Sequence, residues 1–214
     1  MSQTFKSIAT STRLDRCVYI IGPQSTGKTT LVNALVRKLA GDIPVIKEVA
    51  RHVLRDKNYS REDVDSSDPE RRFSLQRDIF AAQIEMENRC LGSEKNIYFL
   101  SDRSAIDPIV YLAHYSGTED RSKITSTQDW REVRRRYADT AKSSIILLLP
   151  VIEFLVDDDI RYVAKSSEDW HALATSFQEF MKDAKIPYVE IGEECLKIEE
   201  RVTLILKHLS HTEE

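Results

Sequence analysis

Cysteine is scarce in this sequence: Cys17, Cys90 and Cys195 are the three present, far apart and odd in number. No CxxC pair and no Cys/His cluster exists, so neither a disulfide framework nor a zinc site is indicated, and buried reduced thiols are expected. Long apolar runs are also missing. No stretch approaches the ~18 consecutive apolar residues needed to cross a bilayer, so no membrane insertion is expected. Basic charge is not in excess: 31 Lys and Arg stand against 35 Asp and Glu, a formal net charge of −4. Bulk electrostatics therefore do not favour nucleic acid as a partner. There is no internal repeat and no low-complexity block. Residues 1–15 are rich in Ser and Thr, with Lys6 and Arg13, but lack the apolar centre of a secretory signal. A flexible N-terminal tail on a cytoplasmic protein is expected there, with an Arg- and Ser-rich transit peptide as the alternative.

What is present is the composition of an ordinary folded enzyme-sized chain. Of 214 residues, 41% are apolar and 31% charged. That is enough to bury a sizeable core in one domain, placed at residues 16–214. Short β-branched runs alternate with helical patterns, which predicts an α/β fold with about five parallel strands and helices on both faces. The strands are read at Cys17–Ile21, Pro44–Glu48, Asn96–Ser101, Ser144–Leu149 and Pro187–Ile191. Helices are read at Lys28–Leu39, Ala50–Arg55, Arg71–Leu91, Ala105–Tyr115, Thr127–Lys142, Glu168–Ala184 and Leu196–Leu209. Asn58–Glu70 and Ser116–Ser126 are read as loops.

One octapeptide dominates the chemistry. Gly22-Pro23-Gln24-Ser25-Thr26-Gly27-Lys28-Thr29 fits G-x-x-x-x-G-K-[ST], with an apolar strand directly before it and an amphipathic helix directly after. Glycines let the backbone turn tightly and present its N–H groups to phosphate oxygens. The helix start points its positive dipole end at the same anion. Gly22 to Thr30 are thus expected to bind ATP, with Lys28 on the β/γ phosphates and the Thr29 hydroxyl on Mg²⁺. ATP rather than GTP is expected because no Asn-Lys-x-Asp guanine motif is present, and Asp102-Arg103-Ser104-Ala105 lacks the glycine of a GTPase switch. Asp102 ends an apolar strand, where open α/β sheets bind ligands. It could hold Mg²⁺ through water, accept the proton of an attacking hydroxyl, or simply cap the next helix. Arg103 suits a phosphate or substrate anion, or else an ion pair; Asp107, one turn on, could bind a sugar hydroxyl. Glu48 and Arg51 are expected to contact substrate or to pair with each other. Gln76 and Gln83 could meet a base, but are read as helix-surface residues. Of Arg134, Arg135 and Arg136, at most one can turn inward. Trp130 and Trp170 are read as packing anchors.

Glu48-Val49-Ala50-Arg51, Asp102-Arg103-Ser104, and Ile191-Gly192 followed by a helix with Arg201 resemble the small P-loop kinases of the NadR/ribosylnicotinamide-kinase type. That AAA-like group also contains the TRP-channel translocation-defect ATPases. The resemblance runs from about Cys17 to Leu209. It implies a P-loop NTPase fold with a five-stranded parallel sheet, phosphoryl transfer from ATP to a small, nucleoside-like hydroxyl acceptor, a nucleotide contact at Gly192, and a lid after the fourth strand. The lid falls on Val151–Lys165, where Arg161 is the expected partner of charge on the transferred phosphoryl group. Asp-Arg-Ser looks closer to the deoxynucleoside and thymidylate kinases than to the Asp-Thr-Asp of the ribosylnicotinamide kinases. The rival expectation is a slow NTPase that acts as a binding switch for a protein partner.

Overall fold

The computed structural model describes residues 13–39, 42–92, 98–151 and 166–210. Five strands form one sheet: β1 (Cys17–Ile21), β2 (Val45–Ile46), β3 (Leu100–Asp102), β4 (Ser143–Leu148) and β5 (Val189–Ile191). Their spatial order is β2-β3-β1-β4-β5, and every pairing is parallel. The longest ladder aligns Cys17 to Ile21 with Ser143 to Leu147. All residues of β1 and β4 are buried. Strands covered on both faces read as continuous apolar runs, which is why CVYII and SIILL are so plain in the sequence.

The pleat divides these strands between two cores. Cys17, Tyr19, Ile21, Ile145 and Leu147 face one cluster, and Val18, Ile20, Ile146 and Leu148 face the other. The second cluster is closed by α1 (Lys28–Val36) and α8 (Ile198–Ser210), through Leu31, Val32, Leu35, Val202 and Ile205. The first is closed by α3 (Pro69–Leu91), α4 (Ile106–Ser116), α6 (Gln128–Ala138) and α7 (Ser167–Ala184), through residues such as Phe80, Ile109, Trp130, Tyr137 and Phe177. Both tryptophans are core residues, as read from the sequence. From β1 the chain crosses to β2 at one edge, returns to β3 beside β1, then passes to β4 and β5 on the other side, and ligands in such a sheet bind at the carboxyl ends of the strands where the order reverses.

Several boundaries differ from the sequence reading. Residues 118–125, read as loop, form α5 (Thr118–Thr125). Only Ile124 of this helix is buried, so no apolar period marks it. The loop read at 58–70 holds a 3-10 turn, Arg61–Val64, whose Ser60 and Asp63 satisfy each other's backbone as a capping box. Asp68 then caps α3 by accepting from the N–H groups of Glu70 and Arg71, with Pro69 in the first turn, so that helix starts two residues before Arg71. The short helix α2 spans Ala50–Asp56. β2, β3 and β5 are shorter than read: β2 pairs with β3 at two residues, β3 with β1 at three, and β5 with β4 at three. α6 ends at Ala138, before the turn in which Lys142 and Ser143 donate to the Asp139 carbonyl. Gln76 and Gln83, read as surface residues, are 3% and 2% exposed. They turn inward because α3 is covered by α2, α4 and the 3-10 turn.

Candidate active site

β1 delivers the chain to Gly22 at its carboxyl end, and the loop over Gly22–Gly27 leads directly into α1. Gly22 has φ +130, and a Cβ there would stand 2.4 Å from the carbonyl oxygen of Leu148. Only glycine fits so close to β4. Gly27 stands at the N-cap of α1 in the left-handed region, with φ +84. The backbone N–H groups of the first turn of α1 therefore lack intrahelical partners and open toward the loop.

Side chains from distant segments hold the loop in shape. The Tyr111 hydroxyl of α4 accepts from the Gln24 N–H at 3.0 Å and lies 2.6 Å from Gln24 Oε1. The Trp170 indole of α7 donates to the Gln24 carbonyl at 2.8 Å. Arg201 of α8, 1% exposed, donates to the carbonyls of Cys195 at 2.6 Å and Thr26 at 3.1 Å. Nothing in the sequence signals the first two attachments. A tyrosine and a tryptophan inside apolar helices look like packing residues, and their partners are more than 80 positions away.

Lys28 is buried and directs Nζ back at the Pro23 carbonyl and, at 3.2 Å, at the Thr26 hydroxyl. Burial, with the Arg103 guanidinium nearby, pushes its pKa down to about 7. The Thr29 hydroxyl donates to Asp102 Oδ2 at 2.6 Å. These two hard oxygen groups are the donor set Mg²⁺ takes from a protein when phosphates and water complete its shell. Among the described residues no group of three or more His, Cys, Asp or Glu side chains could hold a metal alone. Thr29 and Asp102 thus fit a Mg²⁺ that would take its remaining ligands from phosphate and water. Thr30 is exposed on the first turn of α1.

Arg103 follows Asp102 with φ +88, a left-handed conformation rare for a long side chain. Its guanidinium donates to Glu48 at 2.8 Å and to Asp107 at 3.1 Å. Burial works against its charge, but Glu48, Asp107 and Asp102 surround it and hold its pKa well above the ordinary guanidinium value. The other Glu48 oxygen accepts from Arg51 at 2.7 Å. Asp107 also accepts from the Ser104 N–H and hydroxyl, at 2.9 and 3.1 Å, at the start of α4. The ion-pair alternative read for Glu48, Arg51 and Arg103 is what the structure shows, and these residues line the spaces beside the phosphate loop.

The predicted residues converge on two adjoining spaces. Ser25, Gly27, Lys28, Thr29, Glu48, Asp102 and Arg103 line a small polar notch over the phosphate loop. Glu48 and Arg103 continue into a larger cleft with Arg51 and Asp107, walled by Val49, Leu54, Val64, Leu75 and Ile79. That cleft encloses ≈ 80 Å³ and opens to solvent at its mouth. Gly192, just after β5, lines a third space with Leu149, Pro150, His171 and Gln178, away from the notch. The lid read at Val151–Lys165, with Arg161, lies outside the described residues except for Val151, which is buried. Of the arginine run, Arg136 turns inward to the buried Glu87, and Arg134 donates to the Ala184 carbonyl at 2.7 Å.

No helix of the described residues is long and apolar enough to cross a membrane. No curated protein matches the chain. Among solved structures, NadR in complex with NR superposes with a TM-score of 0.69 at 22% identity, covering 94% of this chain and 53% of NadR. Thymidylate kinase from Candida albicans superposes with a TM-score of 0.61 at 16% identity, covering 92% of each chain. Deoxyadenosine kinase from M. mycoides with bound dATP gives 0.58 at 16%, covering 91% of this chain and 99% of that one. At such identities the likeness is one of fold, and the chain spans about half the length of NadR. The family model described as an AAA domain matches residues 17–201, from the first residue of β1 to the arginine that holds the phosphate loop, and by that match the chain belongs to the AAA-domain family, with the fold of the NadR-like small P-loop kinases.

Proposed function

We propose that the protein transfers a phosphoryl group from ATP, with Mg²⁺, to a hydroxyl of a small nucleoside-like acceptor. The observation that carries this reading is the adjoining pair of spaces: a polar notch over the phosphate loop adjoins, through Glu48 and Arg103, a second cleft with a largely apolar wall. The kinase folds of NadR, thymidylate kinase and deoxyadenosine kinase support it.

In this reading the loop N–H groups and the start of α1 bind the triphosphate, and Lys28 neutralises its β and γ oxygens. Thr29 and Asp102 would hold Mg²⁺, which would supply neutralisation of phosphate charge. Glu48 borders both spaces. It is placed to accept the acceptor's hydroxyl proton, while Arg103 fixes its orientation through the 2.8 Å bond. Arg51 and Asp107 contact the acceptor from the cleft wall. Gly192 contacts the nucleotide from the far side, and Arg161 meets charge on the transferred group. The loop's attachments to Tyr111, Trp170 and Arg201 keep the donors preorganised, which is the main source of rate in phosphoryl transfer.

The test is coupled ADP production with Mg-ATP across nucleosides and nucleotides that include nicotinamide riboside. A rate that rises many-fold with one compound supports a kinase and names its acceptor. A slow rate unchanged by every compound favours the binding-switch alternative.

A further inference from the structure

Asp102 and Arg103 are neighbours in sequence, and both line the notch over the phosphate loop. Along a continuing strand, successive side chains point to opposite faces. The Arg103 N–H still donates to the Ile20 carbonyl at 3.0 Å, in line with the β1–β3 pairing, but its φ of +88 breaks the alternation. The two side chains share the notch because of that left-handed turn. A non-glycine residue stays in such a conformation only where its surroundings hold it.

The turn is held from both sides. Ser101, before it, accepts from Gln83 Nε2 at 3.2 Å. Ala105, after it, donates its N–H to the Tyr137 hydroxyl at 3.0 Å. Gln83 of α3 and Tyr137 of α6 both donate to Glu87 Oε1, at 3.0 and 2.7 Å. One carboxylate oxygen thus anchors both ends of the turn. The other, Oε2, accepts from Tyr19 at 3.3 Å and from Arg136, which balances the charge. Ser101, Gln83, Glu87, Tyr137 and Tyr19 are all buried. Burial and the Glu87 carboxylate hold the Tyr137 hydroxyl well above the ordinary phenol range. It therefore stays protonated and relays the bond from Ala105 to Glu87. Apolar side chains of similar volume would fill such a place without loss of stability. What the polar chain adds is direction.

We propose that Tyr137, locked by Glu87, is a positioning residue: with Gln83 it fixes the turn at Arg103 and so aims the Asp102 carboxylate and the Arg103 guanidinium together at the notch. This rests on the reading of the notch as the phosphate site. Tyr137 and Glu87 line neither the notch nor the cleft, so they act through the turn.

The experiment compares Tyr137→Phe with Tyr19→Phe on the full chain. Each removes one buried hydroxyl from the same carboxylate, but only Tyr137 is attached to the turn. The first readout is hydrogen exchange at the Arg103 amide, followed by NMR, a group that neither hydroxyl touches. Exchange is expected to quicken by at least about tenfold in Tyr137→Phe and to stay near wild type in Tyr19→Phe. The second is affinity for Mg-ATP by isothermal titration calorimetry. It is expected to weaken by about tenfold in Tyr137→Phe alone, the usual loss when a group that orients a ligand-binding side chain is removed. Circular dichroism melts verify that both variants fold. Exchange or affinity that is the same in the two variants overturns the proposal, because a purely structural role moves both alike. ADP production with the acceptor panel separates it from the kinase reading. A change in exchange and affinity specific to Tyr137→Phe, with no acceptor-stimulated ADP production in any of the proteins, leaves the positioning role standing and removes phosphoryl transfer. Stimulated production in wild type that the two variants lower equally, or not at all, does the reverse.

Discussion

Individual residues carry unequal loads at this site, and single substitutions separate them. Lys28 is buried with its pKa pushed down to about 7, so the fold gains nothing from its charge, while the triphosphate would. Lys28→Ala is expected to lower turnover by roughly two to three orders of magnitude, the usual loss for one electrostatic group, with the thermal midpoint unchanged or raised. A steady-state assay beside a calorimetric melt checks both halves. Thr29→Ala is expected to raise the Mg²⁺ concentration needed for half-maximal rate by about tenfold, and Thr29→Ser to restore it, because only the hydroxyl meets Asp102. Gly22→Ala, in contrast, is a stability change. The new Cβ meets the Leu148 carbonyl at 2.4 Å and the backbone sits at φ +130, so a loss of more than about 2 kcal/mol is expected in urea denaturation.

At the scale of elements, the sequence was most legible where a strand is buried on both faces and where a motif has fixed spacing. β1 and β4 showed as unbroken apolar runs, and the phosphate loop between β1 and α1 was read residue by residue. α5 was not legible because a helix with one buried residue, Ile124, leaves no period to detect. Gln76 and Gln83 were misplaced for a related reason. Polar residues are assumed to face water, and only the tertiary cover by α2, α4 and the 3-10 turn makes that face of α3 an interior one. The attachments of the loop were also out of reach: Tyr111 and Trp170 meet Gln24 only once α4 and α7 are packed. Tyr111→Phe tests that attachment. It leaves the buried Gln24 N–H without its acceptor, which costs about 1–3 kcal/mol, and a several-fold rise in KM for ATP is expected with it. The tie between α3 and α6 is stronger. Glu87 is fully buried and accepts from Tyr137 at 2.7 Å, from Tyr19 at 3.3 Å and from Arg136. Glu87→Ala strands these donors and the Arg136 charge, so a loss of about 3–5 kcal/mol is expected in the same denaturation assay.

For the whole molecule, the strand order β2-β3-β1-β4-β5 is what turns separate motifs into one site. β1 carries the phosphate loop, β3 beside it carries Asp102 and Arg103, and β2 beyond leads to Glu48 and Arg51. Three stretches far apart in sequence therefore open on one crevice at the carboxyl ends of neighbouring strands. A ligand that bridges these strands binds only the folded state, so Mg-ATP at about 100 times its Kd is expected to add about 2.7 kcal/mol of stability, read as a raised melting temperature, and EDTA to remove most of it. The central claim is transfer, not hydrolysis, and the most direct test follows the γ-phosphate itself. Wild-type protein is incubated with Mg-ATP labelled at the γ position and each nucleoside of the panel, and the acceptors are analysed by mass spectrometry, with Lys28→Ala alongside. The account predicts label on one acceptor, made by wild type and lost in Lys28→Ala. Label found only in inorganic phosphate, at the same rate with every acceptor, would contradict it.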